Sequence, residues 1–249
     1  AATRAPDERI IEMNQNGAPD EEVLQWLATA GLFRGARDKT LKDAYSAATP
    51  VELKRGDTVF TGGHVAEKAY LIRTGRLKLI QVSEDGDEAL LRYIGSGQLL
   101  AFAATFKNRT YPASAVVVQS GRAFSWTGAT LRELMRSDAE VALNAVELVA
   151  NRLYEFQERY IEVTTQPVDR RISLALLRLA DKVGTRQDHE VLIGVPLTRQ
   201  ELAEMCGTTL YTASRVLSAW HKKGIIRASR ERVYLRDTER LTRIAEGES

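Results

Sequence analysis

Between residues 146 and 163 the apolar side chains Val146, Val149, Leu153, Phe156, Tyr160 and Val163 recur at spacings of 3, 4, 3, 4 and 3. A repeat of this period keeps a narrow apolar stripe on one side of a helix, the seam of a coiled coil rather than the broad face of a core helix. The pattern predicts a helix over residues 137–164, about 42 Å long at about 1.5 Å per residue. Ser137 and Glu140 form a capping-box pair that would open it. The residue before Pro167 is pushed away from helical angles, so the helix should end near 164–166. A second copy of the chain is the expected occupant of the seam, and packing on the helix's own domain is the alternative. In either case the helix divides the chain into a segment before it and a segment after it.

The preceding segment reads as two parts. Residues 1–19 are polar, with Pro6, Gly17 and Pro19 and little periodicity, and predict a mobile arm. Asp20 is placed to cap a short amphipathic helix carrying Val23, Leu24, Trp26 and Leu27. From Val51 to Trp126 short runs rich in strand formers, such as 69–73, 76–82 and 89–94, alternate with turn signals. These are Arg55-Gly-Asp57, Thr61-Gly-Gly63, Thr74-Gly75, Asp85-Gly86 and Gly95-Ser-Gly97. Many short strands at this spacing predict a β-barrel or roll, with Asp85-Gly86 as a tight hairpin turn.

After Pro167 the chain is basic. Residues 167–249 carry 15 Lys and Arg against 11 Asp and Glu, whereas residues 1–166 carry 20 against 22. A helix rich in Ile172, Leu174, Leu176, Leu177 and Leu179 comes first, with Pro167 at its first position. In the run 197–207 Thr198 and Glu201 are capping-box partners and Gly207 stands where a helix should stop. Thr209 can then cap a second helix, 210–223, which Gly224 ends. Two helices around a tight glycine-containing turn predict a helix-turn-helix. Val216, Leu217 and Trp220 would face inward. Leu210, Tyr211, Ser214 and Arg215 fall in the N-terminal half of the second helix, from which side chains reach base edges in the major groove. Residues 225–235 read as a two-stranded wing whose Arg227, Arg230 and Arg232 suit phosphates. Double-stranded DNA is therefore the expected partner.

Other classes find little support in the residues. The single cysteine, Cys206, excludes a disulfide framework and a cysteine-held iron–sulfur cluster within one chain. It is expected to be a small core residue. His64, His189 and His221 show no metal-ligand spacing, so no metal site is expected. The half before the long helix offers one histidine and no cysteine, which is no catalytic constellation, so the chain is not read as an enzyme. No apolar run approaches the roughly 18 residues of a membrane span, and the polar start does not read as a signal peptide. The expected setting is the cytoplasm, away from membranes.

The order of parts resembles the Crp/Fnr superfamily of bacterial transcription regulators. The resemblance is carried by Gly56-Asp57, by Ala69-Tyr-Leu-Ile-Arg-Thr-Gly-Arg-Leu-Lys78, by Asp85-Gly86 and by Gly97-Gln-Leu-Leu100. More specific are Leu197-Thr-Arg-Gln-Glu-Leu-Ala203 and Gly207-Thr-Thr-Leu-Tyr-Thr-Ala-Ser-Arg-Val-Leu217. It implies an α+β fold in four parts: the arm 1–19, a cyclic-nucleotide-binding-like sensory β-roll over 20–136, a dimerisation helix and hinge over 137–166, and a winged helix-turn-helix over 167–249. It further implies a homodimer on a two-fold symmetric operator, with RNA polymerase as a partner.

Carried over residue by residue, Arg215 matches the arginine that reads a guanine, and Ser214 the serine before it in the Fnr branch. Thr198, Arg199 and Gln200 match positions on the DNA backbone, and Thr209, Arg227 and Arg230 are assigned there with them. Where most members have Glu, this chain has Tyr211, so their half-site does not transfer. The cassette that holds cyclic AMP in other members uses Gly-Glu and Arg-Ser pairs. Here Ala101-Phe102 and Pro112-Ala113 stand in their places, and Arg109 is at the wrong spacing. A cyclic phosphate buried without a cation is costly, which argues against cyclic AMP as effector and for control by another signal or action without an effector. Phe102, Phe106, Tyr111 and Ser114 would line an apolar effector pocket or a collapsed core. The cofactor is left unknown. A haem-based sensor of nitric oxide or carbon monoxide, with His64 as ligand, is one alternative, and a small-molecule sensor acting by protein contact without DNA is another.

Overall fold

The computed structural model describes residues 20–82, 88–229 and 231–248. The arm 1–19, the Asp85-Gly86 turn and Arg230 lie outside the described residues. Two helices come first, α1 (Glu21–Thr29) and α2 (Asp38–Ser46). Asp20 caps α1 by accepting from the Glu22 amide at 3.0 Å. Strands β1 (Thr49–Leu53), β2 (Thr58–Phe60), β3 (Lys68–Val82), β4 (Glu88–Ile94), β5 (Leu99–Leu100) and β6 (Ser114–Thr127) form one antiparallel sheet. Its main order is β1-β6-β3-β4, with β2 added to β6 and β5 to β3.

The core of this unit lies between the helices and the curled sheet, and includes Leu27, Phe33, Leu71, Ile72, Leu77 and Trp126. Thr74-Gly75, read from sequence as a turn, is instead an irregularity inside the single long strand β3. Gly75 has φ +86°, and a Cβ there would meet the Gln119 carbonyl oxygen at 2.7 Å. The positive φ that serves a turn serves a bulge equally well.

Helix α3 (Gly128–Ser137) leads into α4 (Ala139–Thr165), the long helix. The expected Ser137–Glu140 capping box is not made. Ser137 ends α3 and donates to the Leu134 carbonyl, while Asp138 caps α4 by accepting from the Glu140 amide at 3.2 Å. Asp138 also accepts from the Arg37 amide and the Thr40 hydroxyl, tying α4 to α2. The chain leaves the helix at Gln166, and Pro167 is the N-cap of the next helix rather than its first residue.

The C-terminal unit holds α5 (Val168–Val183), β7 (Gly184–Gln187), β8 (Glu190–Ile193), α6 (Arg199–Met205), α7 (Leu210–Lys222), β9 (Ile226–Ser229), β10 (Arg232–Leu235) and α8 (Thr238–Glu246). The expected two-stranded wing is the outer pair of a four-stranded sheet ordered β7-β8-β10-β9. Ile172, Leu176, Leu202, Leu217 and Trp220 form its core, and Ile80, Leu90 and Tyr93 of the first sheet belong to the same buried cluster. The C-terminal unit is thus packed against β3 and β4.

Candidate nucleic-acid interface

Helices α6 and α7 are set by two local devices. Thr198 and Glu201 make the full capping box: the Thr198 hydroxyl accepts from the Glu201 amide at 3.0 Å, and the Thr198 amide donates to Glu201 Oε2 at 2.9 Å. Gly207, at φ +57°, turns the chain. Thr209 then caps α7 by accepting from the Thr212 amide at 3.2 Å. The backbone amides so paired, two in the box and one at Thr209, would otherwise be left without a partner at a helix start.

Ala213, Leu217 and Trp220 face the core, while Val216 is only half-buried. This fixes the rotation of α7 and turns its other side to solvent. Tyr211 is 78% exposed and Leu210 48%. Arg215 is also exposed, and Ser214 is half-buried beside it. These four residues share the N-terminal two turns of α7. An exposed guanidinium there has the fork needed for guanine O6 and N7, a pairing worth about 1–3 kcal/mol of discrimination.

The residues assigned to the DNA backbone are placed less uniformly. Arg199 and Gln200 are exposed at the start of α6, with Gln200 donating to Glu204 at 2.7 Å. The hydroxyls of Thr198 and Thr209 are already used, donating to Glu201 and Thr212 respectively. Arg227 is held on the protein. Its guanidinium donates to Glu190 and lies 3.5 Å over the Tyr234 ring, and Arg236 shares the same carboxylate at 2.9 Å. Arg232 is exposed.

In the long helix the seam residues face solvent: Val146 67%, Val149 49%, Leu153 55%, Phe156 67%, Tyr160 64% and Val163 44%. Leu143, Tyr154 and Ile161, outside the predicted seam, are exposed as well.

The stretch 97–115 is tightly made. Tyr111 is buried, stacks on Phe60 with ring centroids 4.2 Å apart, accepts from the Glu67 and Lys68 amides and donates to the Lys68 carbonyl. Ser114 accepts from the Gly62 amide at 2.9 Å. Phe102 and Phe106 meet edge to face at 5.8 Å, with Phe106 56% exposed at the surface. His64 is exposed in a turn. Among the described residues no group of three or more His, Cys, Asp or Glu side chains is placed to hold a metal ion. Cys206 is buried, and burial pushes its thiol up to about 12, so it carries no thiolate near neutrality. Among the described residues no helix is long and apolar enough to cross a membrane.

Residues 170–244 match the Crp-like helix-turn-helix domain, and residues 50–138 match the cyclic nucleotide-binding domain. The chain belongs to the Crp/Fnr superfamily. Among its Crp/Fnr relatives, a CRP-like cAMP-activated global transcriptional regulator of Mycobacterium tuberculosis is 28% identical over 219 residues, covering 88% of this chain and 98% of that protein. The nitrogen fixation regulation protein FixK of Azorhizobium caulinodans is 27% identical, covering 96% of this chain and 90% of its own length. A Crp/Fnr-family transcriptional regulator of Thermus thermophilus has the same fold, with TM-score 0.68 and 24% identity over 81% of this chain and all of that one. As a Crp/Fnr regulator the chain is a DNA-binding transcription regulator, a family of proteins that are not enzymes.

Proposed function

We propose that this Crp/Fnr regulator acts in the cytoplasm as a homodimer joined along the α4 seam. Its two α7 helices then enter successive major grooves of a two-fold symmetric operator. Leu210, Tyr211, Ser214 and Arg215 read base edges, while Thr198, Arg199, Gln200, Thr209, Arg227 and Arg230 set register on the phosphates. Arg227 would exchange Glu190 for a phosphate to do so. The functional parts follow the divisions 20–136, 137–166 and 167–249. Control is by a signal other than cyclic AMP, or the regulator works without an effector; an effector biases the angle between roll and DNA-binding unit through the hinge at Gln166-Pro167 to the extent that it binds one arrangement better than the other. RNA polymerase is the partner through which bound dimer alters transcription.

The observation that carries this reading is the exposure of Tyr211 and Arg215 on the free face of a helix whose start and rotation are fixed by Thr209, Leu217 and Trp220. The test is selection from a pool of random duplexes. The expected product has two inverted half-sites about 10 base pairs apart, centre to centre. Recovery of duplexes with no shared sequence would contradict it.

A further inference from the structure

Helix α7 is turned by its own packing so that two side chains point most directly away from the core. Ala213, Leu217 and Trp220 are the buried ones. At about 100° per residue the direction opposite that face falls between Tyr211 and Arg215, both of them exposed. Ser218 and Lys222 continue the same stripe toward the C-terminus of the helix. Neither the Tyr211 hydroxyl nor the Arg215 guanidinium has a hydrogen-bond or ion-pair partner among the described residues. Tyr211, 78% exposed, is the most exposed large apolar side chain among the described residues, and Leu210 beside it is 48% exposed. A phenol ring and an isobutyl group thus form a neutral, largely apolar tip one turn before the guanidinium.

The chemistry of the base edges limits what such a tip can read. In the major groove guanine shows two acceptors, cytosine a donor, adenine one of each, and thymine an acceptor and a methyl group. A phenolic hydroxyl donates or accepts, so it finds a partner on every one of these edges and separates them poorly. The ring and Leu210 separate them in one way only, by taking the thymine methyl group out of water. Burying one such group is worth about a fourfold gain in affinity. Residues four apart on a helix are neighbours, about 6 Å along its axis, which is close to two base-pair steps of about 3.4 Å. With α7 lying along the groove, the base met by Tyr211 is therefore within two pairs of the guanine met by Arg215.

We propose that Tyr211, backed by Leu210, selects a thymine within two base pairs of that guanine through the face of its ring. The hydroxyl adds affinity and little choice. This assignment of a base deepens the proposed reading of α7 as the element that meets base edges, and rests on it.

The test is binding of the full chain to the operator it selects, with each thymine within two pairs of the Arg215-dependent guanine replaced in turn by uracil, which lacks only the methyl group. One such replacement, made in both half-sites, should weaken wild-type binding about 16-fold, about fourfold for each half-site. Tyr211→Phe, which keeps the ring and removes the hydroxyl, should show the same loss. Tyr211→Ala should bind the thymine and uracil operators equally while keeping its preference for the guanine. The proposal is overturned by a half-site with no thymine there, by wild-type binding indifferent to uracil, by a uracil effect that persists in Tyr211→Ala, or by its disappearance in Tyr211→Phe. In each of these cases an operator is still selected and its guanine still depends on Arg215, so the reading of α7 stands. If no shared sequence is selected, or the guanine preference survives Arg215→Ala, that reading fails and the proposal with it.

Discussion

Lys78 Nζ lies 3.1 Å from Glu201 Oε1, with the two side chains 23% and 17% exposed. The pair joins the long strand of the roll to the first helix of the helix-turn-helix, and the same Glu201 completes the capping box of α6. Arg76 donates to the Gly194 carbonyl at 2.6 Å and Tyr93 to the Pro196 carbonyl at 2.7 Å across the same boundary. A change in how β3 and β4 sit is therefore felt directly at the element that positions α7.

This contact can be weighed by a double-mutant cycle of Lys78→Met and Glu201→Gln. Gln keeps the capping geometry, so the cycle isolates the ion pair. The expected coupling is about 1–2 kcal/mol in denaturant unfolding. A coupling near zero would mean that the pair is screened like an exposed one.

Asp138 gives a pH dependence with a definite sign. Hydrogen bonds, first from the Arg37 amide and then from the Thr40 hydroxyl, hold its carboxyl down to about 2 from an ordinary 3.8. A carboxylate depressed in the folded state adds stability above its unfolded pKa and loses it as pH falls toward the folded one. Asp138→Asn should therefore cost about 2 kcal/mol at pH 7 and progressively less between pH 4 and pH 2. Denaturant midpoints of the two proteins at pH 7 and pH 3 check this. Equal differences at both pH values would contradict it.

The exposed seam of α4 makes a separate prediction. Phe156→Arg together with Leu153→Asp should convert the proposed dimer to a monomer in sedimentation equilibrium, with helix content nearly unchanged. Dissociation should also weaken operator binding by two orders of magnitude or more, because the second half-site then binds independently (roughly 10² to 10⁴ in avidity). A double variant that sediments as wild type would place the subunit contact elsewhere.

The elements that sequence made legible are those with local signals. The Thr198–Glu201 box, the Gly207 turn and the Thr209 cap each lie within a few residues of what they control, and α6 and α7 appear where these signals put them. The period of the seam likewise survives as a solvent-facing stripe. Less legible were elements whose cause is distant. Helix α2 has no side-chain cap of its own, since Arg37 makes none. Ser137 and Asp138 are adjacent, and only the Arg37 amide and Thr40, about a hundred residues away, decide that Asp138 is the cap. Arg227 looked free because Glu190 is 37 residues distant. Lys78 and Glu201 are 123 residues apart, so nothing in either neighbourhood announces the docking of the two units.

Operator discrimination by Arg215→Ala is the most direct measurement of all. Affinity for a selected operator and for an unrelated duplex is compared in wild type and variant across a salt series. The account predicts that the variant loses most of the preference, about 1–3 kcal/mol per half-site, and keeps a weak association that falls steeply with salt. A variant that still prefers its operator as strongly as wild type would contradict the placement of α7 as the reading element.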